Sequence, residues 1–312
     1  MIAMRIVFMG TPQAAVPTLR QCVEDGHEVV AVWTQPDKPA GRGKKIAISP
    51  VKEFALAHGL NVVQPAKIRT EESKKLFASH DADVAVVVAY GRILPDEFLR
   101  APRRGCINVH FSLLPLYRGA APANWAIVNG ETETGVTTMF IEPALDTGPI
   151  LLQRKTEIGD TETAPELMQR LSEIGAGLLS ETLARLDDLT PRPQHDRDAT
   201  FAPVLKKEDG LIDWTMNAAA IARRVRGFQP WPNAYTNLHS KRITIWRAEP
   251  IQMAPKCPPV GKVVHAWGDH LVVGCGGNTL LELIEVQPEG RKRMTARDLR
   301  NGMHLKTGDQ FE

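Results

Sequence analysis

Through the first half of the chain, unbroken apolar runs alternate with amphipathic stretches. The runs Val7-Phe8-Met9 and Val84-Ala85-Val86-Val87-Val88 have no polar residue at every second place, which marks strands covered on both faces rather than half-solvated ones. Strands are expected over 5–9, 28–34, 83–89 and 106–111. Residues 16–24, 51–58 and 71–79 carry apolar side chains at spacings of three and four, as helices with one buried stripe do, and Ser49-Pro50 supplies a cap and a first-turn proline for the second. Strand, helix and strand in turn predict a doubly wound, Rossmann-like α/β domain on a parallel sheet. Residues 163–188 read as one long helix with Leu167, Leu171, Ile174, Leu178 and Leu183 on its inner side, closing that domain. The stretch 190–200 has two prolines, mixed charges and almost no apolar residue, and reads as a linker. Beyond it the pattern changes to short alternating strands, 242–246, 260–265, 270–273 and 280–286, separated by Gly and Pro turns, which predicts a small β-barrel. The expected organisation is a catalytic domain over 1–189, a linker over 190–208 and a second domain over 209–312.

Size agrees, since 312 residues exceed what one compact core usually holds. With 43% hydrophobic and 24% charged residues the composition is that of a globular protein, not a disordered, collagenous or membrane one. The longest apolar stretch, 82–89, is far short of the ~20 residues that span a bilayer, and nothing near Met1 reads as a signal peptide. A soluble, cytoplasmic protein with no membrane partner is expected. Cys22, Cys106, Cys257 and Cys275 have no paired spacing, so they predict reduced, mostly buried thiols and neither disulfides nor a metal site. Net charge is +2 but uneven: residues 1–204 hold 22 basic against 25 acidic, and 205–312 hold 16 against 11. That basic second domain is compatible with a polyanion, although a merely solvated surface is the better explanation of charge bias taken alone.

Ligands of doubly wound sheets bind beyond the carboxyl ends of the strands. Gly10-Thr11-Pro12 stands there and lacks the full dinucleotide fingerprint; it either offers backbone amides to an anion or is a tight strand-to-helix turn. More informative is Cys106-Ile107-Asn108-Val109-His110-Phe111, whose alternation points Asn108 and His110 the same way. Ser112-Leu113-Leu114-Pro115 then breaks the strand, and Arg118-Gly119-Ala120-Ala121-Pro122 turns before a helical run to Asn129. Downstream, Asp146 sits in a turn between the apolar runs 137–141 and 150–152. Such an Asp is either a backbone cap or the carboxylate that holds His110 in one tautomer, and a strand-end His is either structural or a general base. Together the three suit acyl transfer to an amine: Asn and imidazolium donate to a nascent oxyanion, and an imidazole is matched to an α-amino group titrating near about 8. No nucleophilic Ser or Cys is needed.

At these residues the chain resembles the folate-dependent formyltransferase family, which carries Asn, His and Asp in this order with Ser-Leu-Leu-Pro directly after the His. Phe8-Met9-Gly10-Thr11-Pro12, the run 35–45 and Arg118-Gly119-Ala120-Ala121-Pro122 resemble the branch that formylates methionyl initiator tRNA. The resemblance covers nearly the whole chain. It implies catalytic roles for Asn108, His110 and Asp146, contact of 10-formyltetrahydrofolate with Ser112, Leu113, Leu114 and Pro115, and a pterin pocket lined by Tyr90, Gly91, Ile93 and Leu94. Lys38, Arg42, Lys44 and Lys45 lie on a Gly-rich loop that suits a phosphate clamp or a plain basic surface. In the family this loop enters the acceptor end of tRNA, with Arg42 at the principal basic position. The second domain resembles the family's OB-type barrel, making Arg223, Arg224, Arg226, Lys241, Arg242, Arg291, Lys292 and Arg293 candidates for phosphate contact. Trp214, Trp231 and Trp246 read as structural. Gln13 and Ala14 replace the family's usual acidic and aromatic residues near the methionyl group, and residues 1–3 precede its usual start at Met4. Kinship further implies a monomer. Two rivals stand beside this reading: a formyltransferase acting on a nucleotide sugar or purine precursor, and a non-catalytic RNA-binding module.

Overall fold

The computed structural model describes residues 3–40, 45–251 and 258–312, with backbone only at 39, 40, 45 and 46. Arg42, Lys44 and Cys257 therefore lie outside the described residues, as does the side chain of Lys45. The chain forms two compact units, one of 1–119, 133–157 and 168–202, the other of 120–132, 158–167 and 203–312.

The first unit runs through β1 (Arg5–Gly10), α1 (Val16–Glu24), β2 (Glu28–Trp33), the antiparallel pair β3 (Lys38–Ala40) and β4 (Lys45–Ala47), then α2 (Pro50–Ala57) and β5 (Val62–Val63). Next come α3 (Glu71–Ser79), β6 (Val84–Val88), α4 (Asp96–Arg100), β7 (Cys106–His110) and β8 (Arg118–Gly119). In chain order α5 (Pro122–Asn129) follows, then β9 (Glu133–Phe140), β10 (Ile150–Glu157), α6 (Ala164–Ala184) and β11 (Phe201–Ala202). The main sheet has seven strands in the order β10-β9-β7-β6-β1-β2-β5. Its five strands from β7 to β5 are parallel, as the unbroken apolar runs predict; every residue of β6 is buried. The other edge departs from an all-parallel sheet, because β9 pairs antiparallel with both β7 and β10.

Local signals act as expected. Ser49 Oγ accepts from Lys52 N (3.2 Å) to cap α2 ahead of Pro50, and Thr70 caps α3 in the same way. α6 buries Leu167, Leu171, Leu178 and Leu183. It lies so close to the sheet at Gly175 that a Cβ there would stand 2.8 Å from Val109 Cγ1. Gly10 is a close-packed turn, where a Cβ would stand 2.8 Å from Ala15 Cβ. Residues 190–202 are fastened to this unit: Ile150 and Arg192 exchange two backbone hydrogen bonds of 2.8 Å, and β11 pairs with β8.

In the second unit, α7 (Ala218–Gly227) packs against α5, with Asn124 Nδ2 donating to the Gly227 carbonyl (2.7 Å). The strands β12 (Ala234–Leu238), β13 (Lys241–Ile251), β14 (Val263–Trp267), β15 (His270–Cys275) and β16 (Thr279–Pro288) form an antiparallel sheet in the order β12-β13-β16-β15-β14. β17 (Met294–Thr295) pairs with β16, and α8 (Ala296–Met303) follows. Among the described residues the sheet does not close into the expected barrel. β12 and β14 are not laddered to each other; residues 309–312 lie between them, bonding Asn237 on one side and Gly261 and Val263 on the other. Trp214 belongs to this unit's core as expected, whereas Trp231 is 54% exposed and Trp246 half-buried.

Candidate active site

The site stands at the carboxyl end of the parallel strands. Tyr90, just past β6, has a carbonyl that accepts from Thr11 Oγ1 (3.4 Å) beyond β1 and from Gln35 Nε2 (3.0 Å) beyond β2. Three strand-end loops are thereby joined. On the neighbouring β7, Asn108 is half-buried, and its side-chain amide has no hydrogen bond among the described residues. Two residues on, His110 is 5% exposed. Its Nε2 lies 3.0 Å from the Tyr117 carbonyl. A carbonyl can only accept, so Nε2 carries the proton in this bond, and Nδ1 is the nitrogen left with a lone pair in the neutral ring. Asp146 Oδ2 stands 3.8 Å from that Nδ1 and accepts from Gly119 N (2.8 Å). Tautomer selection, expected of Asp146, thus falls to Tyr117. Asp146 is too far from Nδ1 for a hydrogen bond, and near enough to face an imidazolium once Nδ1 gains a proton.

The loop after β7 is built inward. Ser112 is fully buried, its Oγ donating to the Leu116 carbonyl (2.6 Å), while its own carbonyl accepts from Thr137 Oγ1 (2.7 Å). Leu114 is buried with its N–H on Thr137 and its carbonyl on Gln153 (2.9 Å), so Leu113 and Pro115 are the half-buried members of the quartet. In the stretch after β6, Tyr90 and Leu94 are core residues, whereas Gly91 and Ile93 are exposed. Burial pushes the Tyr90 phenol up to about 12, and its hydroxyl has no partner among the described residues. Cys106 on β7 is likewise pushed up to about 12 by burial, as are Cys22 and Cys275, which leaves these thiols protonated and unsuited to nucleophilic attack.

At the root of the basic loop, Asp37 accepts from Gln64 Nε2 (2.9 Å) and Lys52 Nζ (2.5 Å), bonds that hold its carboxyl below the usual carboxylate range; Lys38 beside it is exposed. Elsewhere, in the second unit, the predicted arginines divide. Arg223, Arg224 and Arg226 turn onto the backbone carbonyls of Val128, Asp209 and Glu162. Arg242 instead lies over the Tyr235 ring (3.7 Å) and Arg293 over the Trp246 ring (3.2 Å), while Lys241, Arg291 and Lys292 are exposed. These layered pairs join charge to flat apolar surface. No helix among the described residues is long and apolar enough to cross a membrane.

Comparison with known proteins adds the following. Residues 4–183 match the family model described as formyl transferase, and 204–304 the one described as formyl transferase, C-terminal domain. The chain is 47% identical to the methionyl-tRNA formyltransferase of Geobacter metallireducens, covering 99% of this chain and 98% of that one. It is 50% identical to the methionyl-tRNA formyltransferase of Solibacter usitatus over the same shares. Among solved structures, HypX from Aquifex aeolicus in complex with tetrahydrofolic acid superposes with a TM-score of 0.65 at 16% identity over 99% of this chain, which spans 49% of HypX. WlaRD, a sugar 3N-formyl transferase solved with dTDP and 5-N-formyl-THF, superposes with a TM-score of 0.67 at 17% identity, covering 94% of this chain and all of that one. Both likenesses are of fold.

Proposed function

This chain belongs to the formyl transferase family through both of its domains, and we propose that it moves a formyl group from 10-formyltetrahydrofolate to the α-amino group of methionyl initiator tRNA. The observation that carries the chemistry is the pairing on β7 of the Asn108 amide, which makes no hydrogen bond among the described residues, with an imidazole whose Nε2 is committed to Tyr117. The amine attacks the formyl carbon, and Asn108 donates to the formyl oxygen as charge builds there. Nδ1 of His110 takes the proton that the amine loses, and Asp146 faces the resulting imidazolium. His110 then returns a proton to the departing folate nitrogen. The donor lies along the exposed Gly91 and Ile93 and the half-buried Leu113 and Pro115; Ser112, Leu114, Tyr90 and Leu94 support that surface from behind.

The acceptor's phosphates meet the 38–45 loop and the basic second domain, in which an OB-type binding surface is formed over 209–312. The protein acts in the cytoplasm as a monomer. Incubation with labelled formyl-tetrahydrofolate and charged initiator or elongator methionyl-tRNA should put label on the initiator methionine; transfer to a nucleotide sugar or purine precursor instead would replace the acceptor. Changing Arg242 or Arg293 to Ala should weaken tRNA binding, lower the slope of log affinity against log salt by about 1 for each phosphate no longer neutralised, and leave kcat unchanged. A salt titration of both variants checks this.

A further inference from the structure

Asp146 has a left-handed backbone (φ 52°), which L side chains rarely adopt without support. That support comes from Gln194, in a stretch whose sequence looks like a plain connector. Gln194 Nε2 donates to the Asp146 carbonyl (2.9 Å) and to the Gly148 carbonyl (2.7 Å), taking up both protons of the amide. Its Oε1 accepts from Arg118 Nε (3.1 Å) and Nη2 (3.0 Å), so the whole amide is engaged. Arg118 is itself only 4% exposed, and its third hydrogen bond goes to Asp196 (2.9 Å). The next residue, Gly119, donates its N–H to Asp146 Oδ2. One planar amide therefore ties the backbone of the Asp146 turn to the side chain beside the N–H that fixes the carboxylate. The turn is also tightly backed: a Cβ on Gly148 would stand 1.8 Å from the Phe140 carbonyl.

We infer that Gln194 is a positioning residue of the transfer reaction, its side-chain amide setting where the Asp146 carboxylate stands against His110. The inference rests on the catalytic reading of Asp146. Gln194 reaches no reacting atom; it acts through the turn. A displacement of the carboxylate by about 1 Å is enough to cost roughly a hundredfold in rate.

The test is a double-mutant cycle on the full-length protein, with steady-state formylation of initiator methionyl-tRNA by 10-formyltetrahydrofolate and thermal melting of every variant. Gln194→Ala should lower kcat by about tenfold to a hundredfold, with KM for tRNA and folate within about twofold of the parent, and should cost nothing further in an Asp146→Asn background. The isosteric Gln194→Glu keeps an acceptor for Arg118 and turns a carboxylate oxygen onto the two carbonyls; it should lose as much kcat as Gln194→Ala, and it carries the test if the Ala variant fails to fold. Wild-type kcat in a folded Gln194→Glu, losses that multiply with Asp146→Asn, or an effect confined to KM would each overturn the inference. If Asp146→Asn alone transfers at the wild-type rate, the catalytic reading of Asp146 fails instead, which is a separate result.

Discussion

Replacing His110 by Ala should lower kcat for formyl transfer by about 10²- to 10⁴-fold, the range ascribed to a well-placed general base, while tRNA affinity stays near that of the parent. The imidazole is nearly enclosed, and its Nε2 is committed to the Tyr117 carbonyl. No other titrating side chain on β7 can take over at Nδ1, because Cys106 is held protonated by burial. On the proposed mechanism, removing the ring leaves the attacking amine without an acceptor for its proton, and it takes away the imidazole's hydrogen bond to the Tyr117 carbonyl. Single-turnover transfer measured beside a filter-binding titration separates chemistry from recognition. Full transfer by a folded His110→Ala protein would remove the general-base role.

Asn108→Ala should cost about 10²- to 10³-fold in kcat, the usual toll for one oxyanion donor, with little change in melting temperature. The two effects separate because the Asn108 amide makes no hydrogen bond among the described residues, so the resting fold does not depend on it. Asn108→Asp should be as damaging: it keeps the size and places an acceptor where a donor is required. KM for both substrates should hold steady, since the amide meets its partner only as charge develops. A loss appearing in KM with kcat intact would show that Asn108 binds the ground state instead.

Much of this architecture can be read from residue order. The parallel strands are legible because burial on both faces excludes alternation, and α2 because Ser49 and Pro50 write its start into the chain. Asn108 and His110 can be paired from spacing alone, since a strand's period of two fixes the face. Long-range pairing is not legible: the run 137–141 is apolar whichever neighbour it takes, and only the fold shows β9 antiparallel beside β7. Backbone acceptors are equally silent, which is why Tyr117 cannot be foreseen as the partner of His110. α7 and α8 escape the pattern although Asn217 and Thr295 cap them, because the alternating stretches around them dominate it. Gln194 is hidden by its setting, for a proline-flanked, charged stretch looks like a tether when its partners lie some fifty residues away.

Because β7 has β6 on one side and β9 on the other, the amide and imidazole ride on an interior rib of the sheet and not on a movable flap. Interior strands open only with the cooperative body they belong to. On the proposed assignment, catalytic competence and the integrity of that body are one property: the two groups proposed to react would stay fixed through ordinary breathing, and the adjustments of a turnover cycle would fall to the two substrates and the exposed loops proposed to receive them.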